Sequence, residues 1–144
     1  MKRFLRSVCI ILIMAIFLNI SVTAAENVGT RESSFFMCHT TYLNKITTRQ
    51  FEVWFDVVAV RTMDELGVKR IKVQRSSDGV TWTTMKTFEK EDYSQMIAED
   101  MVCHYGCVTY WGTPGYYYRA AVCYYAKNSS GIGEYDTYSD TILL

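Results

Sequence analysis

The sequence has few histidines, lacks the nucleophile motif of serine hydrolases, and contains only short apolar runs. Among its 144 residues only His39 and His104 are histidines, and no Gly-x-Ser-x-Gly segment is present to form the nucleophile turn of a serine hydrolase. The longest apolar run, residues 8–20, covers 13 positions, which is short of the ~20 that a helix needs to cross a bilayer. A small secreted hydrolase is therefore the least favoured function, and we expect no catalytic site.

The chain also has no excess of positive charge. Residues 1–25 contain three of its fifteen lysines and arginines and none of its fifteen acidic residues, so the remaining chain carries a net charge of −3. Nucleic-acid-binding domains usually carry a basic surplus, and we expect no nucleic acid as partner. The basic residues within 69–75 are interpreted as a solvated strand face, with contact to an anionic polymer as the alternative. The acidic segment 89–100 matches no calcium loop, and we expect neither a metal nor another cofactor.

The first 25 residues have the pattern of a secretory signal peptide. Three basic residues within the first six positions precede the apolar run, and small residues follow it at positions 22–25. An uncleaved membrane anchor is the alternative. We expect a secreted, extracellular protein without membrane contact after cleavage, divided into a signal peptide (1–25), a flexible leader (26–32) and one folded domain (33–144).

Residues 69–88 predict a β-hairpin that indicates the fold class of the whole domain. Apolar and polar residues alternate over 70–74, which is the period of a half-buried strand. The pair Asp78-Gly79 that follows is a strong turn signal, because glycine adopts positive φ without a Cβ clash. Strand-forming valine, threonine and tryptophan residues over 80–85 predict the second strand.

Residues 50–60 give the clearest strand pattern of the sequence. The two faces differ in chemistry, since one is apolar throughout and the other carries acidic residues. The apolar face, which we expect in the core, consists of Phe51, Val53, Phe55, Val57 and Ala59. The face expected in solvent consists of Glu52, Trp54 and Asp56.

About seven strands follow one another with turn residues between them and almost no helical periodicity. The remaining predicted strands cover residues 33–43, 101–111, 116–126 and 134–143, whereas residues 61–67 lack the alternation and are expected outside the strands. Evenly spaced short strands are typical of a β-sandwich. We therefore predict an all-β domain in which two antiparallel sheets pack face to face.

From residue 33 to its end the chain resembles fibronectin type III and immunoglobulin-like β-sandwich domains. Three segments carry the resemblance: residues 71–82, the tyrosine-rich residues 115–122, and Asn-Ser-Ser-Gly at 128–131 with the strand after it. The chain is also similar to small exported bacterial proteins that carry one such domain. The resemblance implies the sandwich fold, with residues 71–82 in its third strand and 115–122 in its sixth, but no particular activity.

Aromatic residues are abundant, with eleven tyrosines and three tryptophans, and exposed aromatic rings anchor protein partners or stack on sugars. The candidate binding residues, which lie on strand faces or ends that also carry charge, are Trp54, Tyr117, Tyr125 and Tyr135. Residues 76–82 are in addition similar to a strand–turn–strand of discoidin-like carbohydrate-binding modules. We expect a monomeric, non-catalytic domain that binds an extracellular protein or glycan, with a glycan-binding module or a purely structural spacer as alternatives.

Four cysteines follow the predicted cleavage site, and an even number in an exported protein indicates two disulfide bonds. They are Cys38, Cys103, Cys107 and Cys123. If residues 101–111 and 116–126 form a hairpin, Cys103 lies within one residue of Cys123, which favours the pairs Cys103–Cys123 and Cys38–Cys107. A loop closed by Cys103–Cys107, a zinc site built on the two Cys-His dipeptides, and free thiols are the alternatives.

The signal peptide predicts the mass of the exported protein. After expression of the whole sequence, the intact mass should match a chain that begins at Glu26 or Asn27, because the small residues before this point suit signal peptidase. Intact-mass spectrometry of the exported fraction provides the measurement. Recovery of the full 16.7 kDa chain in the membrane fraction would support the uncleaved anchor instead.

Overall fold

The computed structural model describes residues 34–144, so the predicted signal peptide and flexible leader lie outside the described residues. This part of the chain is all-β, as predicted, and its seven strands pair antiparallel in one curled sheet. The strands are β1 (Phe36–Lys45), β2 (Gln50–Ser76), β3 (Thr83–Glu89), β4 (Ile97–Trp111), β5 (Tyr117–Asn128), β6 (Gly131–Tyr138) and β7 (Ile142–Leu143). A 3-10 turn at Ser94–Met96 precedes β4. None of the described residues form a helix long and apolar enough to cross a membrane.

Strand β2 organises the sheet, since it is 27 residues long and pairs with four other strands. Its first half lies between β1 and β4, and Val57 is opposite His39 of β1. Its second half lies between β5 and β3, and Val73 is opposite Ala120 of β5. Strands β6 and β7 pair with β5. Every other strand therefore pairs either with β2 or with β5.

Residues 61–67, which we expected outside the strands, are the bend of β2. The pairing with β4 shifts register after Val58, and the pairing with β5 shifts after Val68; such bulges interrupt the alternation that identifies a strand in sequence. Gly67 has a φ of +154°, and a Cβ at this position would lie 2.0 Å from the carbonyl oxygen of Met96. Glycine is therefore required for the 3-10 turn to pack against the bend.

The bend brings the apolar faces of both halves of β2 into one core. The predicted inward face of the first half is confirmed, because Phe51, Val53, Phe55, Val57 and Ala59 are all buried. The second half of β2 and strand β5 contribute Val68, Ile71, Val73, Tyr118, Ala120, Val122 and Tyr124. The rings of Phe51 and Tyr118 meet in this core, with centroids 5.2 Å apart. Burial of each large apolar side chain contributes about 2 kcal/mol.

The predicted hairpin between β2 and β3 is confirmed, but its connection is longer than a tight turn. Residues 77–82 lie outside both strands, so the strand prediction over 80–82 was wrong. The Asp78 carboxylate accepts hydrogen bonds of 2.8 Å from the backbone N–H groups of Val80 and Thr81, and these groups are then unavailable to a strand ladder. The bond from Thr81, then one from the Ser76 hydroxyl and the bond from Val80, hold the pKa of Asp78 well below its ordinary value.

Replacement of Gly67 by alanine should destabilise the fold more than the same change at Gly115. Both glycines have positive φ, +154° and +83°, so a Cβ costs roughly 1–2 kcal/mol at either position. Only at Gly67 does the new Cβ meet backbone, which should lower the free energy of unfolding by a further ~1–3 kcal/mol. Urea denaturation of the two variants gives the comparison. Equal losses would show that the contact with Met96 does not constrain the bend.

Candidate functional site

The predicted binding residues Trp54 and Tyr117 lie far apart in the sheet. Trp54 is half-buried on the first half of β2, where its Nε1 donates a 2.8 Å hydrogen bond to Glu52. Its ring is parallel to that of Tyr42, with centroids 6.2 Å apart and an interplanar angle of 3°. Tyr117 is exposed at the start of β5, opposite Leu143 of β7. Trp54 is therefore paired with a ring of β1, whereas Tyr117 lies at a separate place beside β7.

The other two predicted binding residues are engaged in packing. Tyr125 is buried, and the Nζ of Lys90 lies 4.1 Å from the centroid of its ring. Tyr135 is half-buried opposite Tyr124 of β5, and its ring lies 4.3 Å from the ring of His39. Since directly opposed residues share a face, Tyr135 points to the core side and Tyr125 to the outer side. The structure does not combine the four predicted aromatic residues into one surface.

The structure does form a groove on the outer face of β2, β5 and β6, with a volume of about 260 Å³. Two small residues of β5, Ala121 and Cys123, form its floor, and residues of the neighbouring strands β2 and β6 form its walls. Cross-strand register arranges its residues in two rows, Lys72–Ala121–Tyr138 and Arg70–Cys123–Asp136. Because β5 lies between them, the Cα atoms of the β2 wall and those of the β6 wall are two strand spacings, or about 9.6 Å, apart.

Arg119 borders one end of the groove and is held from three sides. Its guanidinium carbon lies 4.3 Å from the ring centroid of Trp82 and 4.4 Å from that of Tyr138. Its Nε donates a 2.8 Å hydrogen bond to the side-chain oxygen of Gln74. Each cation–π contact contributes about 0.5–1 kcal/mol at an exposed site. Arg119 and the Tyr138 ring therefore need little further ordering when a ligand binds.

Two cations on the β2 wall have no ion-pair partner among residues 34–144. A β-bulge in β2 leaves both Lys69 and Arg70 outside the core. Lys69 forms an ion pair of 2.7 Å with Glu134 of β6. Arg70 and Lys72 form none, and Asp136 stands on the opposite wall. The groove thus presents two cations on one side and one carboxylate on the other.

The Cys123 thiol in the floor of the groove stays protonated at neutral pH. Burial raises its pKa from the ordinary 9.0 to about 12, and the carboxylates of Asp136 and Glu134 add to this rise. Its Sγ lies 3.9 Å from a carboxylate oxygen of Glu134. Because the thiolate is the reactive form of cysteine, the floor is neutral and unreactive.

The disulfide bonds predicted from the sequence are not formed, and all four cysteines are free thiols. The hairpin assumed for the Cys103–Cys123 pair was wrong, because β4 pairs with β2 while β5 pairs with β2, β6 and β7. Cys38 and Cys107 lie on opposite sides of β2, at least about 9.6 Å apart. Cys103 and Cys107 are about 13 Å apart along β4. These separations exceed the ~7 Å between Cα atoms that a disulfide allows.

Both histidines take part in packing outside the groove. The Nε2 of His104 is hydrogen-bonded to the carbonyl oxygen of Gln95 at 2.9 Å. The ring of His39 lies 4.8 Å from that of Tyr124 and 4.3 Å from that of Tyr135. In the described part of the chain, no three His, Cys, Asp or Glu side chains are grouped so that they could hold a metal ion.

Of the two walls of the groove, only the β2 wall could be predicted from the sequence. Alternation placed Arg70 and Lys72 on an outer strand face, and both line the groove. Asp136 and Tyr138 went unrecognised, because their place depends on the pairing of β6 with β5. Small residues at alternate positions of a tyrosine-rich strand, 121 and 123, are the signal that could have indicated a depression.

Comparison with known proteins assigns no function to this site. No protein family, curated protein or solved structure matches the chain. The groove is therefore interpreted from its own chemistry, which consists of two unpaired cations, a neutral floor, and a fixed aromatic ring beside a carboxylate.

The four thiols should differ widely in reactivity. In the folded, reduced protein, iodoacetamide should modify exposed Cys38 and Cys103 first. Cys123 should react about a thousandfold more slowly at neutral pH, because its pKa of about 12 leaves far less thiolate than an ordinary cysteine has. Peptide mass spectrometry over a time course measures the rates, and urea-unfolded protein, in which the thiols should react alike, is the control. Labelling of the exported protein that requires prior reduction would instead restore the disulfide hypothesis.

Proposed function

We propose that this chain is an exported, monomeric, non-catalytic binding domain and that the groove between β2 and β6 is its binding surface. The observation that carries the proposal is the pair Arg70 and Lys72, which stand beside each other without an ion-pair partner among residues 34–144. Like charges on one strand face repel each other, and an anionic group of a ligand would relieve this repulsion. The pre-ordered Arg119 and Tyr138 at the end of the groove extend the same surface.

We also propose that the domain is a two-layered β-sandwich of the fibronectin type III or immunoglobulin-like kind. The first half of β2 pairs with β1 and β4, which makes one group of three strands. The second half of β2 pairs with β3 and β5, and β5 pairs with β6, which makes a group of four. If the halves of β2 are counted separately, the second half is the third strand and β5 the sixth. This agrees with the positions that the sequence resemblance implies for residues 71–82 and 115–122.

Charge reversal in the groove should abolish binding to extracellular material. The double variant Arg70→Glu/Lys72→Glu should bind isolated cell-surface or extracellular-matrix fractions about a hundredfold more weakly than the wild type, because each of the two lost charged contacts costs roughly a factor of ten. The control variant Arg61→Glu changes an exposed residue of the β2 bend and should bind normally. Sedimentation or surface plasmon resonance gives the affinities, with thermal unfolding to verify the fold.

A second variant separates loss of the groove from loss of the fold. Ala121→Leu fills the floor without changing charge, and it should weaken binding as the double variant does. Unchanged binding of both variants, or of the double variant alone, would place the binding surface elsewhere. A wild-type protein that binds none of these fractions would favour the structural spacer.

A further inference from the structure

We propose that the groove binds a carboxylate-bearing sugar, namely a uronate residue of an acidic polysaccharide. This inference rests on the proposed function, since it names the ligand class of the same groove. It depends on the contrast between the two walls: one carries two cations without an ion-pair partner among residues 34–144, and the other carries an aromatic ring beside a carboxylate.

The β2 wall is suited to a carboxylate. Arg70 and Lys72 occupy alternate positions on one face of the strand, which places their Cα atoms about 7 Å apart. A carboxylate between them would accept two parallel hydrogen bonds from the planar guanidinium and a further one from the ammonium group. Both cations would then have the partner that the described chain does not provide.

The β6 wall is suited to a sugar ring. Tyr138 is 60 % exposed and lines the groove, while Arg119 supports its ring from 4.4 Å. The C–H groups on one face of a pyranose carry a partial positive charge, which is attracted to the negative face of an aromatic ring. Asp136, in the next row of this wall, accepts hydrogen bonds from hydroxyl groups. A ring that spans the floor of Ala121 and Cys123 would contact both walls.

The same features disfavour a phosphate group, whose second negative charge would lie inside the groove. Asp136 stands across the floor from Arg70, and its charge repels a second negative charge on the ligand. The residues that line the groove include two cations and one carboxylate, and this difference of one charge matches a ligand group with a single negative charge. The groove volume of about 260 Å³ lies just below the ~300–1,000 Å³ of drug-sized sites, as suits one monosaccharide unit.

Isothermal titration of the purified exported protein with trigalacturonate tests this inference. Methyl-esterified trigalacturonate and neutral maltotriose serve as ligands of matched length without charge. We expect trigalacturonate to bind and each uncharged ligand to bind at least about tenfold more weakly, because the carboxylate contacts are lost. Arg70→Gln should weaken the binding of trigalacturonate by a similar factor, whereas the control Arg61→Gln should leave it unchanged.

The variant Asp136→Ala distinguishes a sugar acid from a simple anion. If Asp136 accepts sugar hydroxyl groups, its removal weakens the binding of trigalacturonate while it strengthens the binding of inorganic phosphate. Stronger binding of both ligands would show that the groove recognises charge alone, which overturns the sugar assignment. Equal affinity for the esterified and free acids would overturn it as well.

The binding experiments distinguish an error in the proposed binding surface from an error in the proposed ligand class. If trigalacturonate does not bind but Arg70→Glu/Lys72→Glu still abolishes binding to extracellular fractions, the ligand class is wrong and the binding surface stands. If the wild type binds neither trigalacturonate nor those fractions, both proposals are wrong.

Discussion

The close approach of the Met96 carbonyl oxygen to Gly67 is the constraint on which the rest of the fold depends. It excludes any Cβ at the bend of β2, and the bend allows one 27-residue strand to serve both halves of the sheet. Pairing continues through this point on both edges, with Ile97 of β4 opposite Gly67 and Lys127 of β5 opposite Glu65. The two halves are therefore connected by shared hydrogen-bonded partners as well as by the chain itself.

Charged side chains reinforce the bend from outside the core. Glu65 forms ion pairs of 2.8 Å with both Lys127 and Lys90, and hydrogen bonds from Lys127 and then Lys90 lower its pKa from the ordinary 4.5. A lowered carboxyl pKa stabilises the folded state above the pKa of the unfolded chain, and this contribution is lost as the pH falls through the lowered value. The pairs are partly exposed, so their contribution is modest.

Strand β5 contributes to both the core and the groove, because its side chains point alternately to the inner and the outer face of the sheet. On the inner face the hydroxyl of Tyr124 donates a 2.6 Å hydrogen bond to the carbonyl oxygen of Thr40 and shares another with the Thr41 hydroxyl, which ties β5 to β1. On the outer face the intervening Ala121 and Cys123 form the floor of the groove. A shift of register by one residue would exchange these faces, so the packing that buries Tyr124 also specifies the groove.

The sequence by itself determined the all-β class, the core face of residues 50–60 and the outward position of Arg70 and Lys72, because alternation with period two is a property of a single strand. Only the tertiary structure decided the bend at 61–67, the partner of β4 and the separation of the cysteines. These features depend on contacts between segments distant in the chain, and bulges remove the local pattern. The groove depends on both sequence and tertiary structure. Local alternation predicted its β2 wall, whereas the pairing of β6 with β5 forms the opposite wall.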